Sequence, residues 1–325
     1  MGRLYNAARN FVNDWIEPVC GDLNDPTISV IIPVYKPTHL DVVIQHLNKI
    51  AKSIEVVLVD DSGEDIPLQV GDNTDITIKL VRHVRNLGRP AARNTGAVYS
   101  SGEILVFIDQ DMIIAPGFFE QATRLLGANN SKGVALGLRH TLPFEEIPLL
   151  DEWRYCSKEN DWRISTPVLE SFVDLTVSGV GSMTNKCNPH ELLFIHQQTN
   201  SLRDLGVATE KTIGYWDLPS MVISHSMAIA KNEFFRIGGF PEWISGWGGE
   251  DIVIGFLAVA AGNPIMMTDS VSYHIQHPPY SGSEQQKIFE LKRNIEYYRA
   301  WANNVDEFPI INAPECKKRG KLIDL

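Results

Sequence analysis

An α/β fold, with flanking helices on a Rossmann-like, mostly parallel sheet, is predicted by three observations. Apolar, partly β-branched runs recur at residues 28–35 (ISVIIPVY), 55–62 (EVVLVDDS) and 104–108 (ILVFI), as strands covered on both faces require. Between the first two lies a segment with helical spacing. Acidic residues stand where the second and third runs stop, and open α/β sheets bind their ligands at the carboxyl ends of strands.

The elements follow in order. Residues 40–51 place Leu40, Val43, Ile44 and Leu47 on one stripe of a helix. With the strands on either side this is a βαβ unit, which implies parallel pairing. A third strand, 76–81, leads into a loop holding Arg85, Asn86, Gly88 and Arg89. A helix over 90–100 starts at Pro90, a residue tolerated in a first turn. The strand 104–108 follows, and beyond Phe119 the pattern loosens.

Residues 142–220 mix Trp153, Trp162 and Trp216 with prolines and polar clusters, and are read as a substrate-facing insertion of mixed structure. Order returns with a strand at 222–230 (VISHSMAIA), a short helix and Gly238-Gly239-Phe240-Pro241. A buried helix in the second half of 246–264 is stopped by Gly262, Asn263 and Pro264. A strand at 271–277, an amphipathic helix at 283–304 and a basic tail with Lys317, Lys318 and Arg319 complete the chain. The expected organisation is an extension (1–26), one body (27–282) and a C-terminal helix with tail (283–325). The body divides into a first half (27–120), the insertion and a second half (222–282).

The 325 residues are 44% hydrophobic and 21% charged, the composition of an ordinary globular protein. A net charge of −11 argues against a nucleic-acid binder, whose phosphates need a basic surface. Four scattered cysteines, Cys20, Cys156, Cys187 and Cys316, make neither a disulfide framework nor a CxxC metal site. The first 18 residues lack an apolar core of signal-peptide length, and the longest apolar run, 252–261, is too short to cross a bilayer. A cytoplasmic location is expected, with the basic tail as a place for peripheral membrane contact.

Three motifs carry chemistry. In Asp109-Gln110-Asp111 strand alternation puts both carboxylates on one side and Gln110 on the other. Two like charges so placed repel unless a cation sits between them or one stays protonated. Mg²⁺ or Mn²⁺, which favour carboxylate oxygens and leave positions for phosphate and water, would resolve this. His274 and His277 follow a strand, and either imidazole could supply a further ligand. In Gly246-Trp247-Gly248-Gly249-Glu250-Asp251 the glycines permit unusual backbone angles and close approach of a ligand, and Trp247 offers a flat face to a sugar ring. Glu250 and Asp251 then open a helix, whose dipole favours ionised Asp251 while desolvation by Trp247 opposes it. Arg82, Arg85, Arg89 and Arg93 cluster before and inside one helix, a local means of meeting a pyrophosphate or a neighbouring carboxylate.

Taken together, ISVIIPVY, VLVDDS, RNLGRPAARNTG, FIDQD, GGFPE, GWGGED and HIQH closely resemble, in that order, the family 2 glycosyltransferases of the GT-A fold. The likeness covers residues 27–111 and 222–278, and the GWGGED block is also similar to that of inverting galactosyltransferases. It implies that Pro33 and Tyr35 border the nucleoside, that Asp61 reads the base beside Asp60, and that Arg89 or Arg93 lies near the base or phosphates. Asp109 would face the ribose or the metal and Asp111 would bind the metal, with His274 and His277 in the late metal-binding segment. Asp251 matches the catalytic base and Glu250 its neighbour toward acceptor or sugar. Gln110, Trp247, Gly248 and Gly249 complete the expected donor-binding set. Ser224-His225-Ser226 replaces the asparagine-rich version of many relatives, and the insertion has no counterpart in the pattern.

The expected activity is therefore inverting, Mn²⁺- or Mg²⁺-dependent transfer of a sugar from a nucleotide-diphosphate sugar, a UDP-sugar by resemblance, to an acceptor hydroxyl. A sugar nucleotidyltransferase shares such a sheet but opens with a Gly-rich loop after the first strand, where this chain has Pro33-Val34-Tyr35-Lys36-Pro37. A non-catalytic sugar-nucleotide or carbohydrate-binding protein is the other alternative, since fold does not guarantee activity.

Overall fold

The computed structural model describes residues 26–62, 75–143, 222–277, 282–304 and 309–323. The expected extension 1–26 and nearly all of the 142–220 insertion lie outside the described residues. The first half reads β1 (Ile28–Val34), α1 (Leu40–Ile50), β2 (Ile54–Asp60), β3 (Ile76–His83), α2 (Arg89–Tyr99), β4 (Ile104–Ile108), β5 (Met112–Ile113), α3 (Phe118–Ala128) and β6 (Val134–Leu142). The second half adds β7 (Ser226–Ala230), α4 (Lys231–Arg236), α5 (Glu250–Ala260), β8 (Ile265–Ile275), α6 (Glu284–Asn304), α7 (Ala313–Arg319) and β9 (Gly320–Ile323).

The strands form one sheet in the order β5-β8-β6-β7-β4-β1-β2-β3-β9. Its centre, β4-β1-β2-β3, is parallel throughout, as the βαβ pattern requires. The flanks are mixed: β6 pairs β8 parallel, while β7, β5 and β9 run antiparallel to their neighbours. Successive residues of the central strands serve opposite faces. Ile31, Val57, Val59, Leu105 and Phe107 join the core that contains α2 and α5, and Val30, Ile32, Val56, Leu58 and Val106 join the core under α1 and α3. Both faces are therefore dry, and the runs read as uninterrupted apolar sequence. Gly96 lets α2 lie against β1, because a Cβ there would stand 2.4 Å from Ile31 Cγ2.

Four expectations are corrected. The pattern does not loosen after Phe119: α3 buries Phe118, Phe119, Ala122 and Leu126 on one stripe, and β6 follows. The strand expected at 222–230 starts only at Ser226, with Ser224 and His225 in a turn. β8 starts at Ile265, six residues earlier than expected, and its pairing with β6 is interrupted between Leu136 and Leu138. The basic tail is folded: Asn312 caps α7 by accepting from Glu315 N–H, and β9 hydrogen-bonds β3. Lys317 and Lys318 stay exposed, but Arg319 turns inward. Among the described residues no helix is long and apolar enough to cross a membrane.

Candidate active site

Parallel pairing of β4, β1 and β2 brings three strand ends together, and with them Pro33, Tyr35, Asp60, Asp61 and Asp109-Gln110-Asp111. Pro33 is buried in β1 opposite Val59. The backbone of Tyr35 is gripped by Gln110: Tyr35 N–H donates to Oε1 (2.8 Å), and Nε2 donates to Tyr35 O (2.9 Å). This side-chain amide acts as one more rung between β1 and β4.

The alternation expected for the two acids does not hold, because the chain leaves strand geometry after Ile108 and Met112 N–H donates back to Asp109 O (3.2 Å). The acids turn to separate partners. Asp109 accepts from Arg93 Nη2 (2.8 Å), while Asp111 lies 2.9 Å from His277 Nε2 and 3.6 Å from His274 Nε2. Burial opposes ionisation of Asp109, but Arg93 and Arg89 outweigh it and hold the carboxyl at about 2.

Asp111, His274 and His277 offer three ligand atoms within 4.8 Å of one another. β8 delivers the histidines: it pairs with β5, which sets His274 opposite Met112, next to Asp111. Burial lowers the His274 pKa against the attraction of Asp111, so its imidazole stays neutral, the form that binds metals. One carboxylate and two imidazoles fit a divalent cation, and the nitrogen ligands favour Mn²⁺ over Mg²⁺.

Arg93 is the hub of the opposite wall. It is 1% exposed, reaches Asp109, and approaches Glu250 Oε1 at 3.3 Å and Asp251 Oδ1 at 3.7 Å, with Phe240 under its guanidinium at 5.0 Å. Arg89, half-buried, meets Glu250 at 3.2 Å, and that carboxylate raises the Arg89 pKa against the opposing effect of desolvation. The arginines expected near base or phosphate are thus engaged with carboxylates, whereas Arg85 is exposed and Arg82 pairs with Asp60. Asp251 accepts from Ser224 Oγ (2.5 Å) and keeps 22% of its side chain accessible. Burial and the neighbouring Glu250 raise its pKa to about 6, against Arg93 and Ser224. Desolvation therefore prevails over the helix dipole at this helix start.

Asp60 and Asp61 occur together in sequence and part in space. Asp60 bonds Arg82 and Ser62. Asp61 accepts from His83 Nδ1, Leu87 N–H and Gly88 N–H, each at 2.8 Å, and so anchors the loop before α2.

The glycines of the GWGGED block serve a different neighbour from the one expected. Gly246, Gly248 and Gly249 have φ of 77°, 77° and 95°, and added Cβ atoms would meet Glu290, Leu291 and Asn294 of α6. Asn294, buried on α6, donates to the carbonyls of Ser245 and Gly248 (3.1 and 2.7 Å). The loop is moulded to that helix, and it sets the start of α5 where Glu250 and Asp251 sit. Trp247 is 41% exposed, with Lys287 Nζ 5.8 Å from its ring centroid. Gly249→Ala combines left-handed strain with a 3.0 Å contact to Asn294 Cβ, so a loss of about 1–3 kcal/mol is expected in urea unfolding. An unchanged midpoint would mean that the loop relaxes freely. Local sequence marks neither Asn294, His83 nor Thr95, because each acts only through residues distant in the chain.

Comparison with known proteins agrees with this fold. A family model described as glycosyl transferase family 2 matches residues 29–159. The validoxylamine A glucosyltransferase of Streptomyces hygroscopicus subsp. limoneus is 25% identical over 302 residues, covering 88% of this chain and 59% of that protein. An uncharacterized glycosyltransferase of Haemophilus influenzae is 32% identical over 113 residues, 33% of this chain and 45% of its own length. The chain thus spans about half to three fifths of these relatives. Among solved structures, the mannosyltransferase PcManGT from Pyrobaculum calidifontis, in complex with GDP-Man and Mn²⁺, superposes with a TM-score of 0.50 at 17% identity, covering 95% of this chain and 74% of that one. GalNAc-T7 with UDP, GalNAc and Mn²⁺ gives 0.51 at 17% identity, covering 94% and 56%. The matched segment, residues 29–159, thus carries the family 2 glycosyltransferase pattern, on a sheet of the GT-A type.

Proposed function

We propose that the chain is an inverting, metal-dependent glycosyltransferase that moves a sugar from a nucleotide-diphosphate sugar, a UDP-sugar, to an acceptor hydroxyl. The observation that carries this reading is continuity. Asp251 contacts Arg93, Arg93 contacts Asp109, and Asp111, two residues on, contacts His274 and His277. Arg93 and Asp109 thus link the proton acceptor to the candidate cation-binding trio at the carboxyl ends of the parallel strands. Relatives named as glucosyltransferases, and neighbours described with GDP-Man or UDP and Mn²⁺, support the same donor class and metal.

Asp111, His274 and His277 would hold the cation, which when bound supplies Lewis-acid neutralisation of the diphosphate leaving group. Asp251 takes the proton of the acceptor hydroxyl as that oxygen attacks the anomeric carbon from the face opposite the leaving diphosphate. A pKa of about 6 leaves it ionised at neutral pH and basic enough to accept. Arg93 holds Asp109 and Glu250 in place, and partial exposure of Trp247 leaves a ring face for a sugar.

The test is a thermal-shift screen of nucleotide sugars with and without Mn²⁺, since a ligand of the native state raises the melting temperature. A shift that needs both components is expected. His277→Ala should raise the Mn²⁺ needed for half the shift by about tenfold or more, as loss of a metal-site residue does. A nucleotide-sugar shift indifferent to EDTA and to His277→Ala would remove the metal from the reading.

A further inference from the structure

A line of polar contacts runs from buried Asp61, His83 and Thr95 to the C-terminal helix and takes no part in the chemistry above. His83 Nδ1 lies 2.8 Å from Asp61 Oδ1, and His83 Nε2 lies 2.9 Å from Thr95 Oγ1. Arg319 Nε donates to that same hydroxyl oxygen at 3.0 Å. The rest of its guanidinium clasps Glu242 through Nη1 (2.5 Å) and Nη2 (2.7 Å), and Nη2 also reaches Ala91 O. Asn94, beside Thr95, donates to Glu242 Oε1 (2.8 Å) and exchanges two further hydrogen bonds with the backbone of Phe240. Burial opposes ionisation of Glu242, but Arg319 and Asn94 hold its carboxyl below the ordinary range, so the clasp is an ion pair. β9 lays this segment directly on β3, with Gly320 opposite His83.

The polarity of the line is fixed by chemistry. A guanidinium can only donate and a carboxylate can only accept, so Arg319 donates to the Thr95 oxygen and His83 Nδ1 donates to Asp61. With its proton on Nδ1, a neutral imidazole accepts at Nε2 from the Thr95 hydroxyl, which Arg319 holds in place. Asp61 in turn accepts from the amides of Leu87 and Gly88, so its orientation and the loop's are one property.

We propose that Arg319 is a positioning residue for the nucleoside end of the donor site: through Thr95 it fixes the His83 imidazole that orients Asp61 and so orders the 84–88 loop. The proposal rests on the reading of Asp61 as the residue that meets the donor base. It ties the C-terminal segment to the strand ends that carry Asp61.

The experiment uses the full chain with Thr95→Val, which removes the hydroxyl at nearly constant shape, and Thr95→Ser, which restores it. Hydrogen exchange at the Leu87 and Gly88 amides reads the relay without any ligand, and the Kd for UDP with Mn²⁺ reads its effect on the donor site. Thr95→Val is expected to speed exchange and to weaken UDP by about tenfold each, the size of one lost hydrogen bond to a charged group, with Thr95→Ser near wild type. In a His83→Asn background, where the amide donates to Asp61 without help from Thr95, Thr95→Val should change either readout by less than about twofold. Arg319→Lys, which keeps the charge on Glu242 but has no Nε–H for Thr95, is the second variant should Thr95→Val not fold. Exchange and UDP affinity unchanged in these variants, or an undiminished Thr95→Val effect in the His83→Asn background, would overturn the relay. Wild-type chain that binds no nucleoside diphosphate would overturn the donor role of Asp61 even with the exchange result intact.

Discussion

Asp251→Asn is expected to lose transfer by about three orders of magnitude and, at pH 8, to melt higher than the wild-type chain. The first effect follows from removing the proton acceptor while keeping its shape, within the range general-base catalysis supplies. The second follows from linkage. The folded pKa of Asp251, about 6, stands above its ordinary value of 3.8, so its protonated form is the one that suits the fold. Stability from this carboxyl is complete below about 3.8 and is lost as pH rises through about 6. At pH 8 the ionised group therefore costs about 1–3 kcal/mol, which the neutral amide does not. The advantage of Asn should shrink as the pH falls through 6, and kcat/KM of the wild type should fall over the same interval. Single-turnover transfer and calorimetric melting at pH 8 and pH 5 test both. Retained turnover would remove Asp251 as base, and equal melting at pH 8 would show that Arg93 and Ser224 already compensate its burial.

Arg93→Met is expected to cost about 3–5 kcal/mol in urea unfolding, more than any other single change proposed for this molecule, because it leaves buried carboxylates without their cation. Asp109 and Glu250 both rely on this guanidinium, and Glu250 is 2% exposed. Adding Asp109→Asn to Arg93→Met should recover part of the loss, since one uncompensated charge goes with it. A cost under about 1 kcal/mol would show that Arg89 alone neutralises the site. Because Arg93 also stands 3.7 Å from Asp251, the variant should move the acid limb of any residual activity to higher pH.

The parallel half of the sheet was legible in sequence because its strands are dry on both faces, so that nothing interrupts Val30–Ile31–Ile32 or Val56–Val57–Leu58. The region from Phe118 to Leu142 was not. Gly127, Asn129, Gly133 and Gly137 punctuate it, and the need for glycine at 133, where a Cβ would meet Met266 and Pro264, is set by a segment distant in the chain. The start of β8 was hidden in the same way, since Ile265–Met267 follow a helix stop and declare themselves a strand only against β6. At the site, residue type identified Asp109, Asp111, Asp251 and the two histidines as candidates. It gave no sign that Asp109 and Asp111 part company, or that the glycines before Asp251 answer to Asn294. Those are properties of α2 and α6 meeting the strand ends, and no local pattern carries them.

The four-residue pairing of β9 with β3 also bears on how the molecule behaves in a crowded solution. Strip it away and Leu80–His83 would offer a bare row of amide and carbonyl groups beside an apolar side chain, a template onto which another chain can add as a strand. Clipping near Pro309 should therefore be followed by light scattering and loss of material on standing at high concentration, whatever happens to turnover.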